Sequence, residues 1–453
     1  MAGAGVEGWM RGVLQRREAE GTLRDLKVAE TEGCSLDFGS NDYLGLARSQ
    51  ELAVATEREV ERIRRINAAP RGTMPAEYGM LPPLMGSGGS RLLSGNSSYA
   101  EELEASLAMF HKREAALIFN SGYDANLGVL SCIPQRGDAV VYDELVHNSM
   151  QMGMKLGRQT AQIAFRHNDC AHLQQVLSGL RAAGSTERIF VALESIYSMD
   201  GDCAPLEQLL QVAEANGAWV IVDEAHATGV LGPNGEGLVG ALGLENSPAL
   251  FCSVHTFGKA LGVHGAAVFG SATLRKFLIN YARPLIYSTS LPMHSLAAIR
   301  CSYDMQRIMH AARSHVLNLV AIFRAELVAP SEDDTPPLSP SDLVESTSPI
   351  QAVLVPGNER AIKVADLLRE HGFDVRPIRK PTVPEGTERL RICIHAHNSV
   401  TQVRDLIHHI RAFKAGATTC GQCTCGQYKR QPCKCHQRLE YFQQLHGTPP
   451  AKL

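Results

Sequence analysis

Nowhere in the 453 residues is there a run approaching the ~18 consecutive apolar residues that a membrane-spanning helix needs. The opening residues, Met1 to Trp9, lack the basic stretch followed by an apolar one that marks a secretory leader. A strong charge of either sign is missing too. With 44 Lys and Arg against 47 Asp and Glu, the net charge is −3, which gives no electrostatic basis for binding nucleic acid or an anionic membrane. A soluble protein acting on small ligands is expected. A disulfide framework is also absent: seven of the twelve cysteines (Cys34, Cys132, Cys170, Cys203, Cys252, Cys301, Cys393) stand singly, mostly in apolar runs, as buried thiols of a reducing compartment would. No internal repeat is found. What is present is globular in kind, 44% hydrophobic and 20% charged, and long enough for one large domain with a smaller companion.

Between about residues 115 and 270, short β-rich runs alternate with helical patterns: Ala115–Phe119, Ala139–Tyr142, Ile189–Leu193, Trp219–Val222, Phe251–Val254 and Gly265–Phe269. Alternation with continuous apolar runs predicts an α/β fold, a largely parallel sheet wrapped by helices, with pocket residues at strand ends. Residues Ala329–Ser348 are rich in Pro, Ser and acid and read as a mobile connector or surface excursion. Beyond them Ile350–Val355, a helix Glu359–His371, Arg376–Arg379, Arg389–Ile394 and Val400–Phe413 predict a compact α+β unit. The expected division is an N-terminal arm (1–60), a large domain (61–310), a small C-terminal domain (311–416) and a cysteine-rich tail (417–453).

The stretch Ser253-Val-His-Thr-Phe-Gly-Lys-Ala-Leu-Gly262 sets Lys259 among small and apolar neighbours. A lysine in an apolar pocket has a lowered pKa and is a free amine nearer neutral pH, as Schiff-base chemistry requires; a lysine after glycine also commonly starts a helix. The β-run Trp219–Val222 ends in Asp223, with His226 three residues on. Both then lie at the C-terminal edge of the sheet, where open α/β sheets bind ligands. Asp223 is placed either to cap the next helix or to pair with a protonated ring nitrogen, and pyridoxal 5'-phosphate (PLP) is the cofactor whose electron sink depends on such a carboxylate. Asn120-Ser-Gly-Tyr-Asp-Ala-Asn126 lies where a strand ends and a helix begins, so the N–H groups of Gly122 and Tyr123 are suited to a phosphate; taken alone, the stretch is a turn.

Together with Ser40-Asn-Asp-Tyr-Leu-Gly-Leu46, Gly86-Ser-Gly-Gly-Ser-Arg-Leu-Leu-Ser-Gly95, Glu194-Ser-Ile-Tyr-Ser-Met-Asp-Gly201, Asp223-Glu-Ala-His226, Thr256-Phe-Gly-Lys259 and Tyr287-Ser-Thr-Ser290, these residues resemble the α-oxoamine synthases, fold-type I PLP enzymes, from about residue 16 to 413. The resemblance implies a large domain built on a mostly parallel seven-stranded sheet between helices, a smaller α+β domain, acyltransferase activity, and a homodimer with shared active sites. It implies that Lys259 bonds the cofactor aldehyde and later shuttles the α-proton, that Asp223 faces the pyridine nitrogen, that His226 donates to the ring's phenolic oxygen, and that His147 stacks on the ring. Thr256 matches a phosphate-binding hydroxyl, and Thr289 one given across the dimer interface. Ser198 and Glu194 match residues lining the pocket. Asn41 and Arg391 match groups at the amino-acid carboxylate, a task that suits bidentate arginine, and Arg24 matches an arginine near the acyl substrate.

Within that family the similarity is to the branch that joins L-alanine to pimeloyl-CoA in biotin biosynthesis. Sister branches use glycine with acetyl-CoA or succinyl-CoA, or serine with long acyl chains, and some relatives are non-catalytic subunits. Leu92 stands where the aminolevulinate branch carries asparagine, which disfavours a succinyl group; Lys259, Asp223, His226 and His147 together argue for catalysis. Three features depart from the pattern. His264 replaces a small residue and narrows the acyl entrance or faces a roomier neighbour, Asn148 replaces alanine before Ser149, and the tail is extra. Cys420, Cys423, Cys433 and Cys435, with His436, offer soft ligands for one zinc ion in a non-standard spacing, or the segment is a spacer. Ala451-Lys-Leu453 is a one-residue variant of Ser-Lys-Leu, so a peroxisomal import receptor and matrix location are expected, with the cytoplasm as the alternative.

Overall fold

The computed structural model describes residues 5–24, 26, 36–68, 85–330 and 335–416. The strands, in chain order, are β1 (Leu36–Asp37), β2 (Ala115–Phe119), β3 (Ala139–Asp143), β4 (Ala161–Phe165), β5 (Ile189–Glu194), β6 (Trp219–Asp223), β7 (Leu250–Thr256), β8 (Ala266–Gly270), β9 (Ile350–Leu354), β10 (Phe373–Asp374), β11 (Arg376–Ile378) and β12 (Arg389–Cys393). Seven of them form the central sheet in the order β2-β8-β7-β6-β5-β3-β4. The pairs β4–β3, β3–β5, β5–β6 and β6–β7 are parallel, and β8 runs antiparallel to β7 and β2.

The apolar runs explain the sheet's place in the molecule. Successive strand side chains point to opposite faces: Val141, Val191, Leu193, Val220 and Val222 enter the core on one side, while Val140, Phe190, Ala192, Ile221 and Val254 enter the core on the other. Every residue of β5 is buried. β4 is the strand absent from the sequence expectation. As an edge strand it is covered on one side only, so Gln162 and Ala164 are exposed and the run lacks a continuous apolar pattern. Among the described residues no helix is long and apolar enough to cross a membrane.

The small sheet, β11-β12-β9, is antiparallel. Its core takes Leu390, Ile392 and Val353 from the strands, Leu319, Phe323 and Leu327 from the helix His310–Val328, and Phe38 from near the N-terminus. β1 pairs with β10, so the segment expected as an arm is partly a component of the small domain. The boundary expected at residue 60 falls inside the helix Gln50–Ala68, whose Ile63 packs with Leu296, Ile299 and Tyr303. The end of the stretch expected as a connector or surface excursion is also pinned. Ser346 and Ser348 are buried, and the Ser346 hydroxyl has its one O–H to share between the carbonyls of Gly201 (2.8 Å) and Ile350 (2.6 Å). Composition there records polarity, and the hydroxyls satisfy backbone acceptors that a polar segment would otherwise leave to water.

Candidate active site

The C-terminal ends of β5, β6 and β7 bring Glu194, Asp223 and the turn after Thr256 to one edge; Glu194 and Asp223 are opposite each other in register. In that turn Lys259 lies with its Nζ 2.7 Å from Nε2 of His226. The other ring nitrogen of His226 is 2.7 Å from the hydroxyl of Tyr43, a fully buried side chain. Burial lowers the Lys259 pKa from 10.5 to about 8, opposed by the charges of Asp223 and Glu194 and aided by Arg391. Burial, followed by the charge of Lys259, holds His226 well below 6.5. The neutral imidazole therefore has one donor and one acceptor to divide between Tyr43 and Lys259.

Asp223 divides its oxygens between two tasks. Oδ1 accepts the N–H of Ala225 at 2.9 Å, and Oδ2 accepts the amide Nδ2 of Asn126 at 2.6 Å. The same Asn126 amide donates to Oγ of Ser149 at 3.0 Å. Ser149 Oγ is 2.7 Å from Nδ1 of His147, which also accepts the Ser149 N–H at 3.2 Å. One amide thus joins the two residues expected to face the ring from its nitrogen and from above. His147 caps the helix Asn148–Leu156. It is exposed at the mouth of the site, yet the protein packed about its ring lowers its pKa from 6.5, against Asp223 and together with Lys259.

The helix Gly122–Cys132 starts beside Thr256. Ser121 caps it by accepting the N–H of Asp124 at 3.1 Å, which leaves first-turn N–H groups without helical partners. A Cβ on Gly122 would lie 3.1 Å from Cβ and 3.3 Å from Oγ1 of Thr256, so only glycine lets the two come this close. On the opposite wall, buried Arg391 of β12 donates from Nε to the carbonyl of Ser198 (2.7 Å), from Nη2 to Oδ1 of Asn41 (3.0 Å) and from Nη1 to Cys393 Sγ (3.1 Å). Three segments distant in sequence meet at one guanidinium.

Two further acids are buried here. Glu194 has a carboxyl oxygen, Oε1, with no partner; burial and the neighbouring Asp223 raise its pKa well above 4.5. Glu224 is raised to about 7 by burial, moderated by hydrogen bonds from the N–H groups of Val239 and Leu238 and from the Ser195 hydroxyl.

Lys259, Asp223, His226, His147, Glu194, Gly122, Thr256, Ser198, Asn41 and Arg391 therefore surround one site. The backbone N–H of Tyr123, the group expected at the phosphate, lies with that of Gly122 in the first turn of the same helix; other side chains are not brought into the site. The Tyr123 side chain is 43% exposed. Arg24 is exposed after the helix Val6–Ala19 and makes no hydrogen bond or ion pair among the described residues. Thr289 is exposed, its carbonyl accepting from Asn120 Nδ2 at 2.9 Å. His264 and Leu92 are exposed. Cys420, Cys423, Cys433, Cys435 and Ala451-Lys-Leu453 lie outside the described residues. Tyr43 and Asn126 were legible only as members of longer motifs: Tyr43 sits inside Ser40–Leu46, and Asn126 one helical turn beyond Gly122, on the same face.

A titratable amine beside a neutral imidazole, a carboxylate held by an amide, and a helix N-terminus next to a hydroxyl suit an aldehyde, a ring nitrogen and a phosphate respectively. With the Gly122 cradle, this donor set fits PLP. The chain matches the family model described as aminotransferase class I and II over residues 35–410. It is 41% identical over 422 residues to an 8-amino-7-oxononanoate synthase of Emericella nidulans, covering 89% of this chain and 95% of that protein. To an 8-amino-7-oxononanoate synthase of Anaeromyxobacter dehalogenans it is 37% identical over 410 residues, covering 88% and 94%. Among solved structures, a serine palmitoyltransferase variant from S. paucimobilis with bound PLP-myriocin aldimine matches with a TM-score of 0.74 at 26% identity, covering 90% of this chain and 97% of that one. The chain belongs to the aminotransferase class I and II family, among its PLP-dependent α-oxoamine synthases.

Proposed function

We propose that this enzyme condenses L-alanine with pimeloyl-CoA to give 8-amino-7-oxononanoate, CoA and carbon dioxide. The observation that carries the chemistry is Lys259, an amine with a pKa of about 8 lying 2.7 Å from neutral His226 and within the field of Asp223. The substrate pair rests on the 41% and 37% identical relatives. When bound, PLP supplies an electron sink for the charge left on the amino-acid α-carbon.

Each side chain then has a task. Gly122, Tyr123 and Thr256 would hold the phosphate with N–H groups and a hydroxyl. Asp223, oriented by Asn126, would hold the ring nitrogen; His226, oriented by Tyr43, would hold the phenolic oxygen; and His147 would cover the ring. Arg391 and Asn41 hold the alanine carboxylate so that the α C–H points at the Lys259 amine, which removes the proton and later returns one. A new carbon–carbon bond joins the alanine α-carbon to the pimeloyl carbonyl, the CoA thiolate leaves, and the carboxyl carbon departs as carbon dioxide. Ser198 and Glu194 wall the site. Thr289, beside the 81% exposed Tyr287, serves the neighbouring site of a homodimer, and Arg24 serves the acyl group.

The test supplies holoenzyme with pimeloyl-CoA and L-alanine, glycine or L-serine in turn. Free CoA thiol and carbon dioxide should rise in equal amounts with alanine. Release with glycine or serine alone would keep the family and overturn the substrate. Holoenzyme that releases neither with any amino acid or acyl-CoA would favour a non-catalytic subunit.

A further inference from the structure

Behind the pocket, apart from the residues assigned to cofactor and substrates, His167 lies between two carboxylates. Its Nδ1 is 2.9 Å from Oδ1 of Asp143 and its Nε2 is 2.8 Å from Oδ2 of Asp202. A neutral imidazole has a single N–H and would turn a lone pair toward one of them; this placement calls for both nitrogens to be protonated. Burial works against the charge, but the hydrogen bonds and charges of Asp143 and Asp202 outweigh it and raise the His167 pKa to about 10. The other groups packed against the residue are Asn168, whose side-chain amide lies 3.3 Å from Nε2 while it donates to Asp202; Tyr197, edge-on with ring centroids 4.4 Å apart; and Glu144, which accepts the His167 backbone N–H at 3.0 Å.

Each carboxylate controls a different part of the site. Asp143 ends β3 and is fully buried; it also accepts the N–H groups of Leu145 (2.9 Å) and Asn168 (2.8 Å). Leu145 is in the turn that delivers His147. Asn168 holds a left-handed φ of 54°, which asparagine tolerates better than most residues, and its side chain donates to Asp202 at 2.6 Å. Asp202 closes the loop that carries Ser198, since its carbonyl accepts the Tyr197 N–H at 3.1 Å. That loop is fastened to the small domain. Asp200 pairs with Arg389, two residues before Arg391 on β12, and a Cβ on Gly201 would collide with the carbonyl of Ile350.

We propose that His167 is a positioning residue: its imidazolium clamps the turn that carries His147 to the loop that carries Ser198, and through Asp200 and Arg389 to the strand that carries Arg391. The proposal deepens the PLP-dependent reading and rests on it for the roles of His147 and Arg391. Among the described residues none of Asp143, His167, Asn168 and Asp202 hydrogen-bonds Lys259, Asp223 or His226, so the effect is on geometry and not on the amine.

The test compares holoenzyme, His167→Gln and Asp202→Asn. Glutamine is uncharged and can donate at one end only, so one carboxylate loses its bond outright and the other keeps no charge-assisted one. Hydrogen exchange in H167Q should quicken about tenfold in both residues 144–150 and 196–203, the loss of one charge-assisted bond, while β6 and the helix Gly122–Cys132 keep wild-type protection and PLP stays bound. Its kcat should fall about tenfold or more, with KM for the amino acid raised as well. D202N should loosen 196–203 alone, because the Asp143 contacts persist, and it decides the matter should H167Q not fold. Unchanged exchange in both loops, or faster exchange throughout the chain, would overturn the clamp. Wild-type protein that turned over no alanine would count only against the substrate reading, since exchange reads the clamp without turnover.

Discussion

An amine that titrates at about 8 instead of 10.5 is neutral at pH 7 in about one molecule in eleven, against about one in three thousand, an enrichment of about 300-fold. Reductive methylation of the apoprotein with formaldehyde reads this directly, because the probe has no titration of its own and only the neutral amine attacks it. The rate at Lys259, followed by mass spectrometry of its peptide, should rise through a midpoint of about 8. Lys112 is the internal standard: hydrogen-bonded to Glu245, it titrates above 10.5 and should still be gaining rate well past that point. Asp223→Asn removes a charge that favours the ammonium, so its midpoint should fall below that of wild type. The same shift has a sign in stability. Between about 8 and 10.5 the unfolded chain binds more protons at this lysine than the folded one, so the apoprotein gains stability as pH rises across that window. Lys259→Met, freed of a buried ammonium, should be more stable than wild type at pH 7 by up to about 3 kcal/mol, a gain that disappears toward pH 10.5. A wild-type methylation midpoint at or above 10 would refute the reasoning.

Asn126→Ala removes the donor shared by Asp223 and Ser149 and should cost about tenfold to a hundredfold in kcat with PLP retained, the range of a hydrogen bond to a charged group; steady-state kinetics beside PLP absorbance checks it. Arg391→Lys keeps the charge but loses the fork to Ser198 and Asn41, so KM for alanine should rise about tenfold or more. Gly122→Ala sets a methyl 3.1 Å from Thr256 and should weaken PLP retention in dialysis while leaving the methylation midpoint of apo Lys259 in place. Glu224 holds its proton up to about 7 in the folded chain but loses it near 4.5 when unfolded, so wild-type stability should decline between those values; Glu224→Gln should lack that decline in pH-dependent denaturation.

Much of this site was legible in the sequence because its residues stand at strand ends, where chemistry-bearing types interrupt apolar runs. Lys259 was conspicuous among small neighbours, and Asp223 with His226 came directly after a β-run. The edge strand β4 was not legible, since one solvated face removes the continuous apolar pattern that marked the others. Nor was the pinning of Ser346 and Ser348, because a serine that satisfies a buried carbonyl has the same composition as one in water. Nor was the location of Arg24 or Thr289, which one chain leaves exposed.

The disposition of the acids shows why pairing had to come from structure. Sequence places Asp143, Glu194, Asp223 and Glu224 alike, each at or one step beyond a strand end. The fold treats them differently. Asp143 is taken by His167 and two backbone N–H groups. Glu224 is enclosed by Leu238, Val239 and Ser195, and Glu194 is buried beside a like charge that favours its neutral form. Asp223 alone keeps one oxygen for a local turn and offers the other to an amide that leads to His147. Four anions about one lysine would hold its ammonium far above neutrality. With Asp143 and Glu224 bound elsewhere and Glu194 held back from ionising by burial and by Asp223, burial prevails over the charges of Asp223 and Glu194, and Lys259 loses its proton near pH 8.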